Sequence, residues 1–316
     1  MSFPLFSIII PVFNDKKNIT RCINSVLSQV FDSFECLVID DGSTDATLSI
    51  CDAYAEKDSK IKVFHKNNEG ISKTRQFGLN NSNGSFLIFI DSDDWVESSF
   101  LYNVNQLIES QPTDLIFLDF FDENSSLKEI YFNQKPSSTE IEQVLKDVLE
   151  GKQFSCLWNV VIKKSFINQN NIVFTDNINY GEDTLFITEI LLNKPVFNYL
   201  SGAFYHHTYN SGSYTRKNKK NKYFERVKFL NELKALLVKY NRTDLNDSNF
   251  FPFNDKFEML SSGVFTRKEY QSLYPLSFIK NYRKHAKYIK YFLLSMAESK
   301  LYFIARLLSI LIRIIK

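Results

Sequence analysis

Leu37-Val38-Ile39-Asp40-Asp41-Gly42-Ser43-Thr44-Asp45 is a β-rich apolar run that stops on two carboxylates and a turn. Apolar residues on both sides of the run mark a strand covered on both faces, and Gly42 beside Ser43 closes it. The same grammar occurs upstream, where Phe6–Val12 runs into Phe13-Asn14, and downstream, where Phe86–Ile90 ends on Asp91-Ser92-Asp93-Asp94. Between these strands Asn14-Asp15 offers a helix cap before Asn18–Val30, whose Ile19, Ile23, Val26, Leu27 and Val30 fall at helical spacing. Ala46–Glu56 and Gly70–Asn80 read as further helices, and Ile61–His65 as another strand. Strands alternating with helices at this pitch imply βαβ units, right-handed crossovers and a mostly parallel sheet with helices on both faces. Ligands then bind at the carboxyl ends of the strands. Asn14, Asp40, Asp41, Asp91 and Asp93 all follow a strand directly, so they converge on one rim.

From residue 112 to 213 the pattern mixes strands (Leu115–Phe121, Pro195–Leu200, Ala203–Tyr209) with helices (Glu140–Leu149, Asp183–Leu192). Beyond 213 it is helical, over Tyr223–Tyr240, around Phe257–Tyr270 and over Phe278–Lys316. The expected organisation is a domain over 1–215, with a nucleotide-binding half at 1–110 and an acceptor half at 111–215. A helical region over 216–316 follows.

The chain has 316 residues and a formal charge of +2, too small to imply a nucleic-acid partner. Cys22, Cys36, Cys51 and Cys156 form no CxxC pair and have no His at metal-ligand spacing, so they read as small apolar residues. The apolar start lacks a basic leader, and no uncharged stretch approaches the ~18 residues of a membrane span. The expected location is the cytoplasm.

Three segments carry candidate chemistry. Asp91 and Asp93, two apart on extended backbone, point to one side and suit a hard cation bound through oxygen; a helix cap explains them equally well. Asp40 at a strand end can accept the N3–H of uracil, with Gly42 permitting close backbone approach; a plain turn is the alternative. In Asn68-Glu69-Gly70-Ile71-Ser72-Lys73-Thr74-Arg75 a helix start with free N–H groups and an arginine suits an anion; a solvated helix face is the other reading.

Together, Ile9-Ile10-Pro11-Val12-Phe13-Asn14, Leu37–Asp45, Asn68-Glu69-Gly70 with Arg75, and Asp91-Ser92-Asp93-Asp94 resemble glycosyltransferase family 2, the inverting enzymes of GT-A fold. The likeness is dense over residues 5–96. It implies that Pro11, Phe13, Asn14 and Asp40 hold uridine, with Asn68, Gly70 and Arg75 also at the donor. Asp91 and Ser92 would contact ribose or the donor sugar, and Asp93 would bind Mn²⁺ or Mg²⁺ against the diphosphate. The family's later Glu-Asp pair is similar to Glu182-Asp183, which makes Asp183 the candidate base for the acceptor hydroxyl. His207, of the pair His206-His207, is a candidate metal ligand, since some members use a downstream histidine. Cys156-Leu157-Trp158-Asn159 with Lys163-Lys164-Ser165-Phe166-Ile167 is similar to the capsular and lipopolysaccharide branch. The implied partners are a UDP-sugar donor and a glycan or lipid-linked glycan acceptor, with an oligomer open.

Near the end, Arg306, Ser309, Arg313 and Lys316 form one polar stripe on an otherwise apolar helix, with Lys284, Lys287, Lys290 and Lys300 upstream. A basic amphipathic helix of this kind suits peripheral contact with the inner face of the cell membrane; docking on the protein or a second subunit is the alternative. Two other classes are weighed. A Rossmann oxidoreductase wants GxGxxG where Pro-Val-Phe-Asn stands, and a sugar-nucleotide pyrophosphorylase wants a Gly-rich basic loop near the first strand. A non-catalytic nucleotide-sugar-binding or assembly protein with the same fold remains the alternative function.

Overall fold

The computed structural model describes residues 3–123, 126, 128–210, 221–248, 259–260, 266–272, 297 and 302–315. The basic stretch Arg216–Lys220, the boundary expected at 215, most of the helical readings over Phe257–Tyr270 and Phe278–Leu301, and Lys284, Lys287, Lys290 and Lys300 lie outside these residues. So do the side chains of Arg313 and Lys316. The chain divides into two compact units, Met1–Ser211 and Gly212–Lys316.

In the first unit β1 (Phe6–Val12), β2 (Phe34–Asp40), β3 (Ile61–His65) and β4 (Phe86–Phe89) pair in parallel in the order β3-β2-β1-β4. Every residue of β1 and β2 is buried, as their unbroken apolar runs require. Alternation sorts the two faces. Ile8, Ile10, Cys36 and Val38 share a cluster with the apolar sides of α1 (Ile19–Leu27), α2 (Thr47–Ala55) and α4 (Phe100–Ser110). Ile9 and Ile39 face the other way, onto α3 (Ile71–Asn81). Pro11 sits on β1 beyond Ile9, where β4 has already left the ladder, so its missing N–H deprives that strand of nothing.

The parallel expectation describes only this half. In the second half the sheet continues as β8-β6-β9-β5, and four of its five pairings are antiparallel. β8 (Val160–Lys163) runs antiparallel between β4 and β6 (Leu115–Glu123), and β7 (Glu129–Phe132) pairs with β6 past the end of β8. β5 (Trp95–Val96) pairs antiparallel with β9. The two strands expected at Pro195–Leu200 and Ala203–Tyr209 are one strand, β9 (Phe197–His207), parallel to β6. Ser201-Gly202, which reads as a turn, is a bulge: Leu118 pairs with Leu200 and Asp119 with Ala203. Asp119, fully buried, holds it by accepting from the Gly202 N–H and the Tyr199 hydroxyl. Helices α5 (Ile141–Leu149), α6 (Lys164–Gln169) and α7 (Glu182–Leu192) complete the unit. In the second unit lie α8 (Asn221–Lys239), a 3-10 turn at Thr243–Ser248, α9 (Arg267–Ser272) and α10 (Tyr302–Ile315).

Helix α3 approaches the sheet so closely at Gly78 that a Cβ there would stand 2.5 Å from Ile9 Cγ2 and 3.4 Å from Ile39 Cγ1. Ile9 is β-branched on a central strand and has little freedom to yield. Gly78→Val is therefore expected to destabilise the protein by about 1–3 kcal/mol through overpacking, read as a lower midpoint in urea denaturation.

Candidate active site

The loops that leave β1, β2 and β4 are braced against one another by their own polar side chains. Asn14 takes a left-handed conformation (φ 52°). Its N–H donates to Ser43 Oγ at 2.8 Å, and its Oδ1 accepts from the N–H groups of Thr44 (2.7 Å) and Asp45 (3.3 Å). Asp15 accepts from the Ser92 hydroxyl at 2.7 Å and donates its N–H to Thr47 Oγ1. The β1 loop is thus hydrogen-bonded to the loops after β2 and β4, and Phe13 is half exposed.

The two aspartates that end β2 diverge. Asp40 is fully buried, accepts from the Ser43 N–H, and lies 3.4 Å from His65 Nδ1. Asp41 turns to the loop before α3. It pairs with Lys66 at 2.5 Å and accepts from the N–H groups of Glu69 and Gly70, both at 3.0 Å. That carboxylate takes the Gly70 N–H at the start of α3 and the Glu69 N–H just before it. Gly42 permits the approach, since at φ 79° its Cβ would meet Asn68 N at 2.9 Å. Asn68 itself is exposed, and Ser72 donates to the Ile178 carbonyl at 2.7 Å.

Arg75 is 3% exposed and faces carboxylates. Its Nη1 meets Glu182 Oε1 at 2.7 Å and lies 3.8 Å from Asp183 Oδ1, while Nη2 meets Asp91 Oδ1 at 3.1 Å. The structure therefore brings Arg75, Asp91 and Asp183 together from α3, the end of β4 and the start of α7. Burial, reinforced by Asp183, pushes Glu182 up to about 8 against the pull of Arg75. Asp183 keeps a partly open side chain.

Asp93 accepts from Asn210 Nδ2 at 2.8 Å, and burial followed by the charge of Asp91 raises its pKa. Asp94 serves packing: fully buried, it accepts from the Tyr205 hydroxyl (2.6 Å) and the Thr208 N–H (2.7 Å). His207 is set against Asp122 (2.6 Å) and stacks on Trp158, and His206 bridges Glu97 and Glu129 while stacking on Trp95 at 3.6 Å. Both tryptophans are thus engaged with the histidine pair. Among the described residues no group of three or more His, Cys, Asp or Glu side chains is placed to hold a metal ion. The donor set still fits Mn²⁺ or Mg²⁺ carried in with a diphosphate, because such ions take one or two carboxylates and complete their shell with phosphate oxygens and water. Burial first, and then the charge of Asp91, disfavour the ionised form of Asp93, a penalty that a bound cation would offset.

Residues 7–169 match the profile of glycosyl transferase family 2, more than half of the chain. The chain belongs to glycosyltransferase family 2. It is 28% identical to glycosyltransferase GlyA of Streptococcus pneumoniae over 220 residues, which are 66% of this chain and 31% of that protein. It is 26% identical over 250 residues to the Staphylococcus aureus poly(ribitol-phosphate) β-N-acetylglucosaminyltransferase TarS, covering 77% of this chain and 42% of TarS. The chain thus spans less than half the length of both relatives. In three dimensions it is similar to TarS 1–349 in complex with UDP-GlcNAc, with a TM-score of 0.69 at 21% identity over 95% of this chain and 89% of that one. That likeness gives a family-2 chain a GT-A fold.

Sequence reasoning did not find Arg21, Tyr205, Asn210 or the capping role of Asp41. Arg21 Nη2 donates to the Asp93 carbonyl and the Thr208 hydroxyl, and the Tyr205 oxygen also accepts from the Asp91 N–H. These partners lie 72 to 187 residues apart in the chain, beyond the reach of any local pattern.

Two outcomes follow from this geometry. Asp41→Ala leaves the Glu69 and Gly70 N–H groups without their acceptor and Lys66 with Glu69 as its remaining carboxylate, and is expected to cost about 1–3 kcal/mol in urea denaturation. For His65, burial is outweighed by the hydrogen bonds to Asp52 and Asp40, so its folded pKa lies above the ordinary 6.5. The stability it contributes is fully present below the unfolded pKa and is lost as pH rises through the folded value. His65→Gln should therefore be less stable than wild type near about pH 5.5 and converge on it by about pH 8.5.

Proposed function

We propose that this protein transfers a sugar from a UDP-sugar to a hydroxyl of a glycan or lipid-linked glycan acceptor, with inversion at C1, during synthesis of a surface polysaccharide. The observation that carries this reading is the meeting of Arg75 with Asp183 and with Asp91, two residues before Asp93, on the rim that Asn14, Asp40 and Asp41 brace. The family membership and the likeness to a UDP-GlcNAc-bound TarS structure support it. On this reading residues 1–110 form the nucleotide half and 111–215 the acceptor half.

The donor's uracil sits between Phe13 and Asp40, its ribose and sugar against Asp91 and Ser92, and Asn68 and Gly70 border the phosphates. A Mn²⁺ or Mg²⁺ ion held by Asp93 would offset the charge gathering on the departing diphosphate. The pairing of nearby cations supports this reading: Lys66 is paired with Asp41, Lys73 with Glu69, and Arg75 with Asp91 and Glu182. Asp183, partly open and next to a guanidinium, takes the acceptor proton as the hydroxyl oxygen attacks C1. Glu182 is buried against Arg75 and orients that guanidinium instead. Cytoplasmic location at the membrane's inner face belongs to the same reading.

Calorimetric titration of UDP with and without Mn²⁺ tests the donor site. Metal-dependent binding, lost in Asp93→Ala, is expected. Asp183→Asn should bind UDP as wild type does and lose about 10²–10⁴-fold in transfer, the usual contribution of a general base. Equal UDP binding without metal would overturn the metal-bridged model, and absence of UDP binding would favour a non-catalytic assembly protein.

A further inference from the structure

Helix α10 is oriented opposite to a helix docked by its apolar side. Tyr302, Ala305 and Ser309 are buried, with the Tyr302 ring 5.4 Å from that of Tyr270 on α9. Phe303, Ile304, Leu307 and Leu308 are 66%, 50%, 64% and 40% exposed. These four fall at i, i+1, i+4 and i+5, so they form one continuous outward face. A helix that serves only its own fold buries its large apolar side chains and turns serine to water. Here the small and polar side is inside. The face is also embedded in a strongly basic stretch, because residues 280–316 contain nine lysines and arginines against a single acid, Glu298.

We propose that the outward face of α10 is an insertion surface for an anionic lipid bilayer. Phe303, Ile304, Leu307 and Leu308 enter the boundary between headgroups and acyl chains, while the basic residues of the same stretch are drawn to acidic headgroups. The charge decides the occupant. A second copy laid on this face would bring two net-positive stretches together, whereas an anionic surface turns the same charge into attraction. The helix lies in the plane of the surface, since among the described residues no helix is long and apolar enough to cross a membrane. The proposal stands apart from the donor chemistry, which UDP titration of the same preparation reports separately.

Flotation of the full chain with vesicles provides the test, comparing phosphatidylcholine alone with phosphatidylcholine containing about one third phosphatidylglycerol. Wild type is expected to float with the anionic vesicles and not with the neutral ones. Phe303→Gln combined with Leu307→Gln should lower the bound fraction at least about tenfold, because partition scales with the apolar area inserted. Both positions are exposed, so the far-ultraviolet circular dichroism of the double variant should match wild type. Val238→Gln, an exposed apolar position on α8, should float as wild type does. Unchanged flotation of the double variant, or no flotation of wild type, would overturn the proposal. So would a wild-type dimer in light scattering that the double variant dissolves, which would make the face a subunit interface.

Discussion

A guanidinium does not give up its proton inside a protein, so burying Arg75 obliges the fold to deliver carboxylates to it. They come from far apart in sequence: Asp91 from the end of β4 and Glu182 from the start of α7, 16 and 107 residues away. Removing either would leave a charge with too few partners in a site that water barely reaches. The parallel half of the sheet and α7 are therefore fastened at one point, and Asp183 is brought to that point because it follows Glu182. The acid that the proposed chemistry needs is positioned by its neighbour's structural duty.

The carboxylates of the rim separate by environment. Asp40 and Asp41 are satisfied by backbone N–H groups and by His65 and Lys66, and Asp94 is locked between Tyr205 and Thr208. Glu182 is raised by burial although it touches Arg75, and Asp93 is raised by burial and by Asp91 despite the hydrogen bond from Asn210. A site crowded with acids would repel a diphosphate. The free energy of that repulsion is what a divalent cation would remove, and this is why the acid-rich rim and the proposed metal requirement belong to one argument.

The parallel half was legible because each of its signals is local. Val38-Ile39-Asp40-Asp41-Gly42-Ser43 holds strand, strand end and turn within six residues, and β1, β3 and α3 are bounded by equally local cues. The second half gave no such signal. β8 is four residues long and pairs with β4 and β6 from distant parts of the chain, and β7 is equally short. Ser201-Gly202 carries the composition of a turn, and only the long pairing of β9 with β6 and the grip of Asp119 make it a bulge. At the site, the residue types were legible and their partners were not. Arg75 beside Gly70 reads as an anion ligand, and nothing within the helix shows that Asp91 and Glu182 already occupy it.

The C-terminal helix makes the same limit explicit. Helical spacing puts Arg306 and Ser309 on one narrow stripe of an otherwise apolar helix. Periodicity divides a helix into sides but does not say which side the protein covers. The structure decides it: Tyr302, Ala305 and Ser309 are buried, Tyr302 against Tyr270, while Phe303 and Leu307 stay outside. Leaving Phe303 and Leu307 exposed is a poor bargain in water. It becomes a favourable one only if something other than water meets the outer face, and the basic composition of the surrounding stretch makes an acidic surface the complement.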